Sequence, residues 1–254
     1  MILLAAGEPS PVTVLRPNGR ASFVLTADHA GRLIPRCLGN LGLNAADLER
    51  HIAWDIGIAE VTKHLSTILD APAILQTYSR LVIDCNRSPE WTSAIPEISE
   101  ATAIPGNRGL TEAEVVVRRR EIFDPYHHAI EGLLDMRAAA GRPAIFVAMH
   151  SFTPVYLGEV RPMHAGILYN RDRTLASLML ELLRAEGDLV IGDNAPYSVN
   201  DESDYGIPVY GERRGLPHVE MEIRQDLIGD TAGQEEWAGR MARVLTEAER
   251  RLGA

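Results

Sequence analysis

A short apolar run from Ala144 to Met149 constrains the fold of this chain more than any other feature. The run is too short for a helix, and the segment after it reaches Pro154, a residue that the interior of a sheet does not tolerate. It therefore predicts a buried strand that ends at His150. A second apolar run, from Ser22 to Ala27, predicts another strand, which ends near His29. Because open α/β sheets build their sites at the carboxyl ends of strands, we expect the two imidazoles to meet at one sheet edge, as half of a zinc site.

The rest of the chain alternates short apolar segments with amphipathic ones. The predicted strands cover residues 12–15, 22–27, 73–84, 144–149, 165–169, 189–192 and 219–223. The predicted helices cover a segment from Ile52 to about Asp70 and residues 111–140, 175–185 and 234–252. This alternation is typical of one α/β domain, here residues 1–254, with a mostly parallel central sheet and helices on both faces. Two polar, proline-containing segments, 87–109 and 194–215, are long enough to predict loops that wall a pocket.

Composition and charge exclude several classes of protein. The net charge is -10, whereas a nucleic-acid partner requires a basic face. No stretch approaches the roughly 20 apolar residues of a membrane span, and residues 1–6 lack the positive region of a signal peptide. Cys37 and Cys85 are too few and too far apart for a disulfide framework or a cysteine zinc site. We therefore expect a cytoplasmic globular protein without nucleic-acid or membrane partners.

Asp55 is the candidate for a third metal ligand beside His29 and His150. A catalytic zinc site uses three protein ligands and keeps one position open. Asp55 ends the segment His51-Ile52-Ala53-Trp54-Asp55, at the predicted start of a helix. A carboxylate there is also explained by the helix dipole, and a single histidine is more often structural than a ligand. The residue types alone leave both interpretations open. The chain has no HExxH motif, and Arg32 occupies the place that an HxxE motif gives to an acid.

A second group of polar residues lies in Ser79-Arg80-Leu81-Val82-Ile83-Asp84-Cys85-Asn86-Arg87. Arg80 precedes the apolar part of this segment, and Asn86 and Arg87 follow it. Guanidinium groups form bidentate pairs with carboxylates, so arginines near one strand end favour an anionic substrate. The alternative is that these arginines are surface residues paired with the excess of acidic side chains.

A third group lies in the predicted strand near the carboxyl terminus. With the period of two of a strand, His218, Glu220 and Glu222 share one face. Acidic side chains on a core strand are costly unless they are paired or functional. Glu222 is therefore a candidate general base, with Glu220 as the alternative on the same face. An edge strand with a solvated face would explain the pattern equally well.

Five motifs together resemble the N-formylglutamate amidohydrolase family, and most of all its shorter branch of predicted amidohydrolases. They are DHAG, HIAWD, SRLVIDCNR, HSF and VEMEIRQDL, and the resemblance extends from about Phe23 to Leu227. It implies a phosphorylase/hydrolase-like α/β fold, similar to that of zinc exopeptidases. It also implies a zinc-dependent amidohydrolase that cleaves a small anionic N-acyl amino acid, with N-formyl as the expected acyl group and N-formylglutamate as an example.

The resemblance also implies roles for individual residues. The implied ligands of one zinc ion are His29, Asp55 and His150. The implied catalytic residues are Glu222, as the general base, and Arg80, which polarises the scissile carbonyl. The implied substrate-binding residues are Asn86, Arg87 and Arg224. Two alternatives stay open at this point: cleavage of a peptide or cell-wall amide on the same scaffold, and a non-catalytic protein that binds an anion among its arginines without metal.

Overall fold

A computed structural model describes residues 2–253 of the chain. The strands are β1 (Val12–Leu15), β2 (Phe23–Ala27), β3 (Ala73–Gln76), β4 (Ile98–Ser99), β5 (Thr102–Ala103), β6 (Ile145–Phe152), β7 (Val155–Tyr156), β8 (Glu159–Val160), β9 (Ala165–Leu168), β10 (Ile191–Asp193) and β11 (His218–Arg224). The α-helices are α1 (Ala45–Leu48), α2 (Ile58–Leu69), α3 (Glu112–Arg118), α4 (Asp124–Ala139), α5 (Thr174–Ala185) and α6 (Thr231–Leu252). Among the described residues, no helix is both long enough and apolar enough to cross a membrane.

The central sheet has seven strands in the order β1-β3-β2-β6-β11-β9-β10. Strand β2 is parallel to both β3 and β6, β6 is parallel to β11, and β9 is parallel to β10. Only the pairs β1/β3 and β11/β9 of the central sheet are antiparallel. All residues of β2 and β6 are buried, as expected for parallel strands that are covered on both faces. The sheet therefore confirms the predicted mostly parallel α/β architecture.

Helices cover both faces of this sheet. On one face, Val219, Met221 and Ile223 of β11 belong to an apolar core with α2, α5 and α6. On the other face, Phe146 of β6 belongs to a core that includes Ile130 of α4. Because successive residues of a strand point to opposite faces, the Glu220 and Glu222 side chains of β11 point away from this first apolar core. They line the pocket of the candidate site instead.

The strand predicted over residues 73–84 and the helix predicted over residues 111–140 differ from the observed elements. Strand β3 ends at Gln76, and residues 77–86 form an irregular but mostly buried segment instead of a strand that reaches Asp84. The Gln76 side-chain oxygen accepts hydrogen bonds from the next two backbone amides, which ends the strand. Buried Asn107 and Arg118 side chains donate to carbonyls of this segment in place of a neighbouring strand. The predicted helix 111–140 contains a π-helical turn at Arg119–Phe123, which separates α3 from α4.

The chain enters α2 later than the sequence pattern predicts. Gly57 caps the helix with φ 82°, and a Cβ at this position would lie 2.2 Å from the Ile228 carbonyl oxygen. Only glycine fits such a left-handed turn against a neighbouring backbone. The turn places Asp55 before the helix rather than at its first residues, with its backbone N–H donating to the His29 carbonyl at 2.9 Å. This bond ties Asp55 to the segment that follows β2.

Candidate active site

The structure brings His29, Asp55 and His150 together at the edge of the sheet where β2 and β6 end. His29 lies two residues after β2, and His150 lies within β6, which continues to Phe152. The three residues are buried and offer ligand atoms that all lie within 4.8 Å of one another. Strand ends and one tight turn, rather than a single local motif, thus bring the group together.

The hydrogen bonds of this group show which atoms are available to a metal ion. Asp55 Oδ2 lies 3.1 Å from His150 Nδ1 and 3.5 Å from His29 Nδ1. His29 Nε2 pairs with Asp84 Oδ1 at 2.7 Å, so with Asp84 ionised this nitrogen carries the proton and donates it. His29 Nδ1 is then a buried acceptor without a hydrogen-bond partner among the described residues. An unpartnered imidazole nitrogen beside a carboxylate and a second imidazole is a donor set that suits zinc.

Acidic side chains outnumber cations around this group. Burial raises the pKa of Glu220 to about 7. Burial also raises the pKa of Glu222 well above its usual value; His150 lowers it, while Asp55 and Glu220 raise it further. Burial acts on Asp55 in the same direction, but the His29 and His150 imidazoles outweigh it and lower the pKa of Asp55. A bound cation would relieve the repulsion among these carboxylates. The excess of negative charge in the site and the donor atoms of His29, Asp55 and His150 both suit one divalent ion.

Two further buried aspartates, Asp84 and Asp28, lie beside the two histidines. Asp84 pairs with His29 through Oδ1 and accepts from Arg80 Nε and Nη2 through Oδ2, at 3.1 and 2.7 Å. Burial raises the pKa of Asp84, but Arg80 and His29 lower it well below its usual value. Asp28 Oδ2 lies 3.7 Å from His150 Nε2, and its other oxygen accepts from the Tyr126 hydroxyl. Asp28 belongs to the DHAG motif and Asp84 to the SRLVIDCNR motif, but the histidine that each contacts lies in another motif.

We expect Asp84→Asn to weaken zinc affinity by roughly 10- to 100-fold, because a ligating histidine loses the carboxylate that fixes its proton. The measurement is competition for zinc with a chromophoric chelator, which does not depend on turnover. Asp226→Asn is the matched control, since Asp226 pairs with Arg224 outside the pocket. Equal zinc affinity in both variants would show that Asp84 does not orient His29.

Arg80 lines the pocket with its orientation fixed by Asp84. Because Nε and Nη2 both bond to Asp84, Nη1 is the donor that faces the metal-binding group, 3.6 Å from Asp55 Oδ1. The side chain is 25% exposed, so part of the guanidinium remains open to the pocket. The structure therefore places Arg80 where a carbonyl held near the metal-binding group could meet it.

The three predicted substrate-binding residues occupy different environments. Asn86 and Arg87 line the pocket. Arg224 does not, because its guanidinium pairs with Asp226 and points at the backbone carbonyls of residues 161–163. Strand β11 therefore brings Glu220 and Glu222 into the pocket but directs Arg224 elsewhere. This placement removes Arg224 from the predicted substrate-binding set.

Glu220 and Glu222 lie on an interior strand, so the edge-strand interpretation of their pattern is wrong. Glu222 is paired in register with His150 of β6, and both glutamates are buried and line the pocket. The Oε2 atom of each has no hydrogen-bond partner among the described residues. Two buried carboxylates that each have an oxygen without a hydrogen-bond partner, beside a metal-binding group, are candidates for proton transfer.

The pocket has a volume of about 310 Å³. Ser99 and Glu100 of the first predicted loop form one wall, and Tyr197 and Asp204 of the second form another. Two further lining residues, Tyr156 of β7 and His51, were not predicted as site residues. Tyr156 lies four residues after the HSF motif and outside it, and its position becomes evident only once the β7–β8 hairpin is formed.

The mostly parallel α/β sheet thus carries, at one end of its strands, a buried His-Asp-His group that could hold a metal ion, together with an arginine and two glutamates. The family model described as N-formylglutamate amidohydrolase matches residues 21–229. The chain therefore belongs to this family of hydrolases, which act on amide bonds, and the resemblance seen in the sequence is confirmed. No curated protein sequence matches the chain.

Two solved structures are similar over nearly the whole chain. A gene product of Agrobacterium tumefaciens is 37% identical, with a TM-score of 0.96, and the match covers 99% of this chain and 100% of that one. N-formylglutamate amidohydrolase from Ralstonia eutropha is 19% identical, with a TM-score of 0.67, and the match covers 97% of this chain and 100% of that one. The second likeness shows a shared fold.

Proposed function

We propose that the protein is a zinc-dependent amidohydrolase that cleaves a small N-acyl amino acid, with N-formyl as the expected acyl group. The observation that carries this proposal is the buried group of His29, Asp55 and His150, in which His29 Nδ1 has no hydrogen-bond partner among the described residues. The family match supports hydrolysis of an amide bond. The pocket of about 310 Å³ suits a small substrate, since it lies at the lower end of ligand-binding cavities.

His29, Asp55 and His150 would hold the zinc ion. When bound, zinc supplies Lewis acidity to the scissile carbonyl and lowers the pKa of water in the site. Glu222 takes a proton from the attacking water and transfers it to the amine nitrogen as the carbon–nitrogen bond breaks. The products are a carboxylic acid, which is formate for an N-formyl substrate, and a free amino acid.

Arg80 and Arg87 have separate roles in this proposal. Nη1 of Arg80 donates to the scissile carbonyl oxygen as negative charge develops, an effect worth roughly 3–4 kcal/mol per donor in known enzymes. Arg87 pairs with the substrate carboxylate and so orients the amide. Asn86 acts indirectly, because its side-chain oxygen accepts from the backbone amides of Tyr205 and Gly206. Asn86 thus holds the backbone of residues 205–206 in place, and Arg87 binds the substrate carboxylate.

The test combines metal analysis with turnover. We expect about one zinc ion per chain after zinc loading, and release of the free amino acid from a panel of N-formyl and N-acetyl amino acids. A chelator should abolish turnover, and added zinc should restore it. A folded protein that binds these compounds without metal and without turnover would instead be an anion-binding protein. Cleavage restricted to peptides or cell-wall fragments would reassign the substrate class.

A further inference from the structure

The wall of the pocket carries a carboxylate of the chain itself, that of Asp204. Its Oδ2 atom accepts hydrogen bonds from the Asn200 backbone amide at 3.1 Å and from the Ser203 hydroxyl at 2.6 Å. Its Oδ1 atom accepts from Asn86 Nδ2 at 3.3 Å and lies 3.8 Å from Arg87 Nη1. The side chain is 11% exposed. Asp204 is thus fixed in place, with one oxygen turned towards the pair of residues expected to bind a substrate carboxylate.

The same pair of residues holds the segment that carries Asp204. Asn86 Oδ1 accepts from the backbone amides of Tyr205 and Gly206, both at 3.0 Å. With its oxygen and its amide group both engaged, Asn86 is committed to residues 204–206. Of the two residues expected to bind a substrate carboxylate, only Arg87 therefore remains available. Its guanidinium already faces the Asp204 carboxylate.

The second guanidinium of the pocket, that of Arg80, is held by Asp84, and in the proposed mechanism its Nη1 atom is used by the scissile carbonyl. Among the described residues that line the pocket, Arg80 and Arg87 are the guanidinium groups, and no lysine is present. Arg80 is hydrogen-bonded to Asp84 through two nitrogens. Glu100 is paired with Arg50, which does not line the pocket. Of the two guanidinium groups described in the pocket lining, that of Arg87 forms no hydrogen bond to a carboxylate.

We propose that Asp204 is a specificity-determining residue that restricts the pocket to N-acyl amino acids with a single carboxylate. A dicarboxylate such as N-formylglutamate would bring a second negative charge to a wall that already carries Asp204 and only one available guanidinium. Like charges placed together in a desolvated site oppose binding, and a fixed repulsive group is a common means of excluding a wrong ligand. This inference rests on the proposed amidohydrolase function.

The test compares N-formylglutamate with N-formylglutamine, which has nearly the same size and lacks the second charge. We expect wild-type kcat/KM to be roughly ten-fold or more higher for N-formylglutamine, with most of the difference in KM, since a charge repulsion of this kind acts on binding. Asp204→Asn should reduce this ratio by about ten-fold, because the repulsive charge is removed while the side-chain shape is kept. Glu202→Gln is the matched control, because it removes an exposed charge from the same loop and should leave the ratio unchanged.

Thermal unfolding of each variant separates loss of fold from loss of selectivity, and Asp204→Ser provides a second replacement if the asparagine variant does not fold. The ratio of the two kcat/KM values can be measured on the wild-type protein alone, so it tests the proposal even if neither Asp204 variant folds. A wild-type enzyme that prefers N-formylglutamate, or a ratio that Asp204→Asn and Glu202→Gln leave equally unchanged, overturns the role of Asp204 and leaves the proposed function intact. Absence of turnover on every N-acyl amino acid overturns both.

Discussion

Glu222→Gln is expected to retain zinc and fold while kcat falls by about 10²-fold or more. Glutamine has the shape of glutamate but cannot accept the proton of the attacking water, and general base catalysis contributes about this factor. Glu222 is buried, lines the pocket and is paired in register with His150, and its Oε2 atom has no hydrogen-bond partner among the described residues. Steady-state turnover at saturating substrate, with the zinc content of the same sample, measures the effect.

Glu220→Gln is the matched control for this prediction. Glu220 lies two positions earlier on the same face of β11, with Oε2 3.9 Å from His150 Nε2. It contacts the side of His150 that faces away from Asp55, whose Oδ2 meets Nδ1. We therefore expect a clearly smaller loss of kcat than in Glu222→Gln. The opposite order, with wild-type-like turnover in Glu222→Gln, would make Glu220 the general base.

His29→Ala is expected to lose both stoichiometric zinc and turnover. The substitution removes the buried Nδ1 atom that has no hydrogen-bond partner among the described residues, and it leaves two protein ligands where a catalytic zinc site needs three. Elemental analysis after dialysis reports the metal directly. Zinc should also raise the unfolding temperature of the wild-type protein and not that of the variant, since a ligand at 100 times its Kd stabilises the fold by about 2.7 kcal/mol.

His128→Ala serves as the control for histidine loss, because His128 is exposed on α4 and does not line the pocket. It should bind zinc and show the same zinc-dependent rise in unfolding temperature as the wild-type protein. If His29→Ala kept wild-type zinc content and the same thermal shift, the metal would have to be held elsewhere. That result would contradict the proposed mechanism, which requires His29 as a zinc ligand.

The parallel sheet and the meeting of the His29 and His150 imidazoles could be predicted because they depend on short-range signals, whereas the place of Asp55 beside them followed from the family resemblance. Apolar runs too short for helices predict buried strands, and topology then brings their carboxyl ends to one edge. The two glutamates of β11 were recognisable for a related reason, since buried acids are costly without a function. Each of these signals lies within a few residues of the position that it concerns.

The contacts made by Asp84, Asn86 and Arg224 could not be predicted in this way. Residues 77–86 are irregular, and their backbone is stabilised by the side chains of Asn107 and Arg118 from a distant part of the chain. The partners of Asn86 lie in residues 204–206, which follow in the sequence after most of the sheet strands. Arg224 continues the face of Glu222 along β11, but Asp226 and nearby carbonyls attract its guanidinium. Periodicity reports which face a residue occupies, not which distant group binds it.

The register between β6 and β11 has a consequence for how such an enzyme can change. Backbone hydrogen bonds place Glu222 opposite His150, and a shift of one residue would turn the glutamate into the apolar core. The geometry of the proposed proton transfer is thus fixed by the pairing of two sheet strands. Asp204, in contrast, belongs to a loop anchored by the side chain of Asn86. In the proposed function, reaction chemistry and choice of substrate are therefore assigned to separable parts of the chain, so we expect that new substrates can be acquired by replacing the loop while the strands stay intact.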